Sequence, residues 1–443
     1  MGAINFIAAP FYLFILYALA FILRPLVTNR DTARYFIPAL TAKFVGAISL
    51  GLIYQFYYKG GDTIAAYHNG AAQIWEAFLD SPILAFKLIT SGTEYDGTTY
   101  LYARKIIAFG DLPTYFIVRV AGVFSLITFN SYYGNALFFA TVSFSGSWAM
   151  YYSFYRLYPG LNKKIAIITL FIPSVVFWGS GILKDTITFA AVGWFFFAFV
   201  NVFIQKRNSI INIPILLISA LAILHIKIYI ALCLFPSFIL LLFIENNARI
   251  KNKLIKIVIT PIILVVAVLL ATQSVDYLGS INRLYSLEQF TYRAQVNAEW
   301  LAYVSRRQGG SYYSLGNDND FSNMGMAKKF IPAVWTTFCR PYLWEVKNPI
   351  MLLSALESLF VLLFMLNMIR TSGPVKIIKK TIGNPIIFSF LLYSVLFAFA
   401  IGVSTYNFGT LVRYKIPMLP FFLMALLLLQ DRKNQANGYN YNR

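Results

Sequence analysis

Charge is scarce in this chain. Only 12% of its 443 residues are Asp, Glu, Lys or Arg, about half the share that keeps an ordinary soluble domain dispersed. Acids are the scarcer sign, 17 against 37 Lys and Arg, for a formal net charge of +20. Histidine and cysteine each occur only twice. Two cysteines, Cys233 and Cys339, are too few for a disulfide framework, and two histidines leave little for a zinc or haem site. A P-loop, HExxH, GxSxG, CxxC and a Rossmann glycine fingerprint are all missing. ATP hydrolysis, metalloprotease work and dinucleotide redox chemistry therefore fall away.

What the chain has instead is apolar length. Its hydrophobic share is 59% and its mean hydropathy +0.65. Several runs reach the roughly 17–25 residues needed to cross a hydrocarbon core. With no internal repeat or low-complexity tract, residues 1–443 read as a single all-α integral membrane domain, a polytopic helix bundle. The start, MGAINFIAAPFYLFILYALAFILRPL, lacks the basic n-region of a signal peptide and reads as a retained span. Apolar runs and the charges that bound them place about eleven spans. They lie near 5–26, 35–57, 133–155, 165–178, 185–204, 211–224, 228–244, 257–272, 349–369, 385–404 and 411–430.

The loops then divide by sign. One set holds Arg24, Arg30 and Arg34, Arg156 with Lys163 and Lys164, Lys206 and Arg207, and the cations of 249–256, 370–380 and 432–443. Against these stand only Asp31, Glu245 and Asp431. Short loops rich in Lys and Arg stay cytoplasmic, so the N-terminus is expected outside and the C-terminus inside. The positive charge thus belongs to loops and membrane rather than to a nucleic-acid partner. Two long outer loops remain, 58–131 and 273–348. Within the first, LPTYFIVRVAGVFSLITF (112–129) is apolar enough to span but carries Arg119 in its middle. A charge at mid-bilayer costs at least about 2.5–3.5 kcal/mol, so an amphipathic or re-entrant helix at the outer face is expected there.

FYYKGGDTIAAYH, from Phe56 to His68, sets an acid where the second span ends. Gly60 and Gly61 permit a sharp turn. Asp62 then stands at or near the N-cap of a helix, where it takes up orphan amides, or else it faces substrate as a general base. The following helix alternates Ile64, Ile74, Trp75 and Phe78 with His68, Asn69, Gln73 and Glu76, a pattern suited to the interface. Cations recur on the same face. Lys184 and Asp185 lie in PSVVFWGSGILKD, His225 and Lys227 in LHIKIY, Arg340 and Glu345 in RPYLWE, and Arg413 and Lys415 in LVRYKIP. Singly, each reads as a snorkelling anchor; jointly, they are what a lipid-linked phosphate requires. Glu357, inside the span SALESLFVLLF, is costly there unless a cation pairs with it. Asp318 and Asp320 in GNDNDF lack a full calcium-loop pattern and read as a solvated turn.

This layout resembles the GT-C superfamily of polytopic glycosyltransferases that use polyprenyl-phosphate-linked sugars. The likeness rests on GGDTIAAY at the first outer loop and on PSVVFWGSGILKD and RPYLWE. It covers about 35 to 430 in layout: a core at 35–272, a second outer loop at 273–348 and C-terminal spans at 349–430. The span at 5–26 is additional, and the paired acids of many members are reduced to Asp62 alone. The resemblance implies inverting transfer of a sugar to a hydroxyl acceptor on a glycan or lipid, at the outer face of a bacterial inner (plasma) membrane. In it, Asp62 is catalytic, and His68, Lys184, Asp185, His225, Lys227, Arg340, Glu345, Arg413 and Lys415 meet the substrate. No cofactor is required, although a divalent cation is compatible with the reaction. The rival readings are an O-antigen or capsule polymerase or ligase, which relies on arginines, and a lipid-linked sugar flippase or transporter.

Overall fold

The computed structural model describes residues 4–247, 287–307, 310–316 and 320–431. Every regular element among them is helical, and the one β contact is an isolated bridge between Tyr312 and Asn407. The chain divides into two compact units, Met1–Ile228 and Tyr229–Arg443.

The first unit opens with α1 (Ile4–Val27) and α2 (Ala33–Leu52), the latter continued by a π-helical turn, Ile53–Tyr57. Asn29 shapes the reversal between them, its Oδ1 accepting the amides of Asp31 (3.1 Å) and Thr32 (3.0 Å). A second wide turn, Asp62–His68, leads into α3 (Asn69–Asp80), followed by α4 (Pro82–Thr90), α5 (Tyr100–Ala103) and α6 (Leu112–Thr128). Then come α7 (Tyr132–Leu157), α8 (Asn162–Leu170), α9 (Pro173–Trp178), α10 (Lys184–Phe199) and α11 (Ser209–Ile226). The stretch 58–131, expected as a long loop with interfacial helices, is thus mostly helix, and α3 packs on α6.

Glycine sets how closely this unit packs. A Cβ at Gly193 of α10 would stand 2.1 Å from the Gly146 carbonyl oxygen of α7, and one at Gly46 of α2 would stand 2.1 Å from the Val176 carbonyl oxygen of α9. Between apolar helices in lipid, such close backbone approach supplies the dispersion contact that holds them together.

In the second unit, α12 (Ile228–Asn247) is followed by α13 (Leu287–Arg307), α14 (Asn323–Cys339), α15 (Pro349–Ser372), α16 (Pro374–Gly383), α17 (Pro385–Thr405), α18 (Phe408–Tyr414) and α19 (Leu419–Gln430). Thr337 Oγ1 of α14 donates to the Ala398 carbonyl of α17 at 2.9 Å. Phe338 stacks on Phe422 of α19 with centroids 3.9 Å apart.

Seven helices among the described residues are long and apolar enough to cross a membrane: Ala8–Val27, Ala33–Tyr57, Lys184–Ile204, Ser209–Ile226, Ile228–Glu245, Pro349–Ser372 and Pro385–Thr405. Two bent pairs, α6 with α7 (118°) and α18 with α19 (71°), raise the number to nine if each is one span. That is compatible with a multi-pass membrane protein. The expected span at 257–272 lies outside the described residues. The one at 165–178 is not a continuous helix but the pair α8 and α9, broken at Phe171 and Ile172. Pro173 accounts for the break: the residue before a proline is driven out of the helical region, and Ile172 has ψ 125. At 112–129 a helix does form, with Arg119 donating to the Ser91 carbonyl and lying 4.4 Å from the Tyr115 ring.

The α7–α10 crossing yields a direct test. Gly193→Leu puts a side chain where the partner backbone runs, and overpacking of this kind costs about 1–3 kcal/mol or more. Thermal unfolding of the detergent-solubilised variant is expected to show a lower midpoint than Gly193→Ala, and both a lower one than the parent.

Candidate functional site

The turn that carries Asp62 is built from left-handed backbone: Lys59, Gly60 and Gly61 have φ 52, 143 and 102. Gly61 occupies the N-cap position of the Asp62–His68 turn, with no side-chain cap. The Ile64 and Ala65 amides reach its carbonyl at 3.2 and 2.8 Å. Asp62 therefore stands one residue inside the turn, its Oδ1 accepting the adjacent Thr63 amide at 3.1 Å. It is half-buried, so its carboxylate meets solvent at the end of a candidate span.

Beneath it lies an aromatic platform. Thr63 Oγ1 and Tyr132 Oη are 3.0 Å apart. Tyr132, fully buried, meets both His68 (5.3 Å) and Tyr133 (5.3 Å) edge to face. Tyr133 Oη donates to Gln55 Oε1 at 3.2 Å. Gly51 makes room for both tyrosines, since a Cβ there would be 2.7 Å from the Tyr132 ring. His68 is partly exposed as a residue, but its Nδ1 is sealed in with no hydrogen-bond partner. Burial accordingly pulls the imidazole down to about 4. At neutral pH it is an uncharged ring beside Tyr132 rather than a cation for phosphate.

The cations are mostly committed elsewhere. Lys184 and Asp185 are adjacent in sequence, yet each has its own counter-charge. Lys184 Nζ reaches Asp111 Oδ2 at 3.2 Å, and Asp111 also caps α6 by accepting the Thr114 amide. Burial raises the Asp111 carboxyl, but Lys184 and the Thr114 bonds outweigh that and hold it below the usual range. Asp185, with no exposed side-chain surface, forms an ion pair with Lys227, itself only 7% exposed. His225, two residues before Lys227, packs its ring on Phe116 at 5.2 Å.

In the second unit, Arg340 grips Glu345 with Nε at 3.1 Å and with Nη2. Glu345 in turn accepts the Tyr342 amide at 2.8 Å. RPYLWE thus closes on itself. Lys415, fully buried in the break between α18 and α19, lies 3.8 Å from Glu357 and 3.3 Å from Ser358 Oγ. It is the cation that Glu357 requires. Arg413 lies part-exposed in the last turn of α18. Asp320 accepts the Ser322 amide and hydroxyl (3.0 and 2.6 Å) and so serves the start of α14. Asp318 lies outside the described residues. Among the described residues, no group of three or more His, Cys, Asp or Glu could hold a metal ion.

Lys43 of α2, 1% exposed, is a buried charge that the apolar runs did not single out. Its Nζ donates to Ser143 Oγ (2.9 Å) and to the carbonyls of Val175 (3.0 Å) and Gly179 (3.1 Å). Three acceptors match the three donors of an ammonium, and the two carbonyls lie at the C-terminal end of α9, where a cation complements the helix dipole. The signal was available, since a lysine inside an apolar run is a functional or paired group by default.

The chain matches no protein-family model, no curated protein and no solved structure. The chemistry must be read from these residues alone.

Two measurements check this geometry. Lys227→Met removes the counter-charge from buried Asp185, which costs about 3–5 kcal/mol for a buried pair; adding Asp185→Leu is expected to recover most of that loss in melting experiments. His68 gives a pH dependence. An unfolded histidine titrates near 6.5 and the folded one near 4, so between those values the unfolded chain binds the extra proton. Stability is then complete above pH 6.5 and falls as pH drops, by about 2 kcal/mol at pH 5. His68→Phe should flatten that slope.

Proposed function

We propose that the protein is a membrane glycosyltransferase, moving a sugar from a polyprenyl-phosphate carrier to a hydroxyl acceptor with Asp62 as general base. The observation that carries this reading is the setting of Asp62. The carboxylate is part-exposed, follows a candidate span directly, and is not the cap of its own helical turn. A donor of this class keeps its lipid among the helices and its phosphate at the surface, so chemistry falls at such a boundary. Asp62 would take the acceptor proton as the sugar leaves phosphate. Lys184, part-exposed and paired with Asp111, would face the leaving phosphate, exchanging Asp111 for it; charge placed ahead of time is typically the largest catalytic contribution. Lys227, Arg340 and Lys415 are assigned to holding their own units, Asp185 and Glu345 to matching them, His68 to packing beside Tyr132 and His225 to packing on Phe116. No cofactor is proposed. The arrangement proposed is GT-C-like, with eleven spans in a bacterial inner membrane and the Asp62 face outward.

A second reading has an observation of its own. Transporters of lipid-linked sugars carry broken helices, and α8–α9 and α18–α19 are broken, with Lys415 at the second break and Lys43 at the far end of α9. A polymerase or ligase built on arginines has less support, because Arg340 is held by Glu345.

The deciding variant is Asp62→Asn. Assayed with polyprenyl-phosphate sugars in proteoliposomes, it is expected to insert and bind donor normally but lose transfer by roughly two to four orders of magnitude. Unimpaired movement of donor lipid between leaflets, with no sugar transfer in either protein, would establish the transporter instead. Orientation is checked in parallel: a cysteine at exposed Glu94 should react with an impermeant reagent in intact cells, and one at exposed Lys376 should not.

A further inference from the structure

Helix α16 (Pro374–Gly383) has no buried residue. It is joined to α15 by Gly373 alone and to α17 by Asn384 alone. Both neighbours are candidate membrane spans, so a helix this tightly tied to their ends is held at the surface of the membrane they cross. Its apolar side chains fall at i, i+3 and i+7: Val375, Ile378 and Ile382, exposed by 64%, 59% and 73%. Lys379 and Lys376 border that stripe, both exposed, and exposed Arg370 lies in the last turn of α15. No acidic partner of Arg370, Lys376 or Lys379 occurs among the described residues. Lys380 is different, since its Nζ is fastened to the carbonyls of Leu429 (2.8 Å) and Asp431 (3.0 Å) at the end of α19. That fastening fixes the helix against the bundle, which leaves the stripe and its bordering cations facing away from protein.

An exposed apolar stripe bordered by cations, held at a span end, matches the boundary between acyl chains and anionic headgroups. We propose that α16 is a lipid-binding anchor: Val375, Ile378 and Ile382 enter the acyl region, and Arg370, Lys376 and Lys379 bind the phosphates of anionic phospholipids. Lys380 acts as the internal tether that sets the depth of the helix.

The test uses full-length protein in nanodiscs of phosphatidylcholine, with and without phosphatidylglycerol. An environment-sensitive fluorophore on Ile378→Cys is expected to report an apolar setting. Spin-labelled phosphatidylglycerol should associate in preference to spin-labelled phosphatidylcholine. Each of Arg370→Gln, Lys376→Gln and Lys379→Gln should lower that preference by about fivefold. High salt should abolish it, since the screening length falls to about 3 Å at 1 M. The single variants keep the test readable should the triple variant fail to insert. A water-exposed label at 378, or an unchanged lipid preference in all three variants, overturns the proposal. So does displacement of the lipid by millimolar inorganic phosphate, which would mark a free-anion site. A label equally shielded in detergent by a cross-linked second copy would mark a protein interface and overturn it as well.

Discussion

A charge taken out of water must be met by the protein itself, and this requirement organises both units. Stripped of hydration, an ammonium or carboxylate costs several kcal/mol unless geometry and hydrogen bonds repay it. Lys43, Lys227 and Lys415 are the three lysines on which this falls in the sites described, and each meets it differently. Lys43 is satisfied by a hydroxyl and two carbonyls, Lys227 by a fully buried carboxylate, and Lys415 by Glu357 and Ser358. Each links elements distant in sequence. Lys43 joins α2 to α7 and to the end of α9, Lys227 joins the end of α11 to the start of α10, and Lys415 joins the α18–α19 break to α15.

Two of those lysines were read from sequence as substrate ligands, and the reason is instructive. A lysine near a span end looks the same whether it serves a phosphate or an acid 42 residues away. The periodicity that locates helices carries no information on which acid will face it. Glu357 was readable in one respect only. Its place within an apolar run demanded a cation, but the identity of Lys415 depended on the break between α18 and α19, where Pro417 stands and which hydropathy sums across. The all-helical class and the positions of α1, α2, α10, α11, α12, α15 and α17 were legible, because twenty apolar residues leave few alternatives. The stretch 165–178 misled, since hydropathy sums over a proline that the backbone cannot ignore. Residues 58–131 were legible only in outline: interfacial helices were expected within a loop, and α3 to α6 fill most of it.

At the candidate site the legible part was the acid and its hinge. Two glycines before Asp62 announced a turn, and the turn has left-handed backbone where they stand. What could not be read was the platform below. Tyr132 follows Asp62 by 70 residues and reaches it through Thr63, while Gly51 is a glycine only because two tyrosine rings lie against it. Most of the charged residues described near the span ends are held by partners within their own unit. If Asp62 is the general base proposed above, few other groups share its task.

The single-residue joints at Gly373 and Asn384 act as a length gauge. A helix advances about 100° per residue, so one residue added to or removed from α16 would turn its apolar stripe away from the bilayer or rotate α17 against α14. Both faces of that choice are closed, the first by Lys380 on the Leu429 carbonyl and the second by Gly402, where a Cβ would stand 2.7 Å from the Ala333 carbonyl oxygen. This segment therefore tolerates exchange of side chains far better than any change in their number.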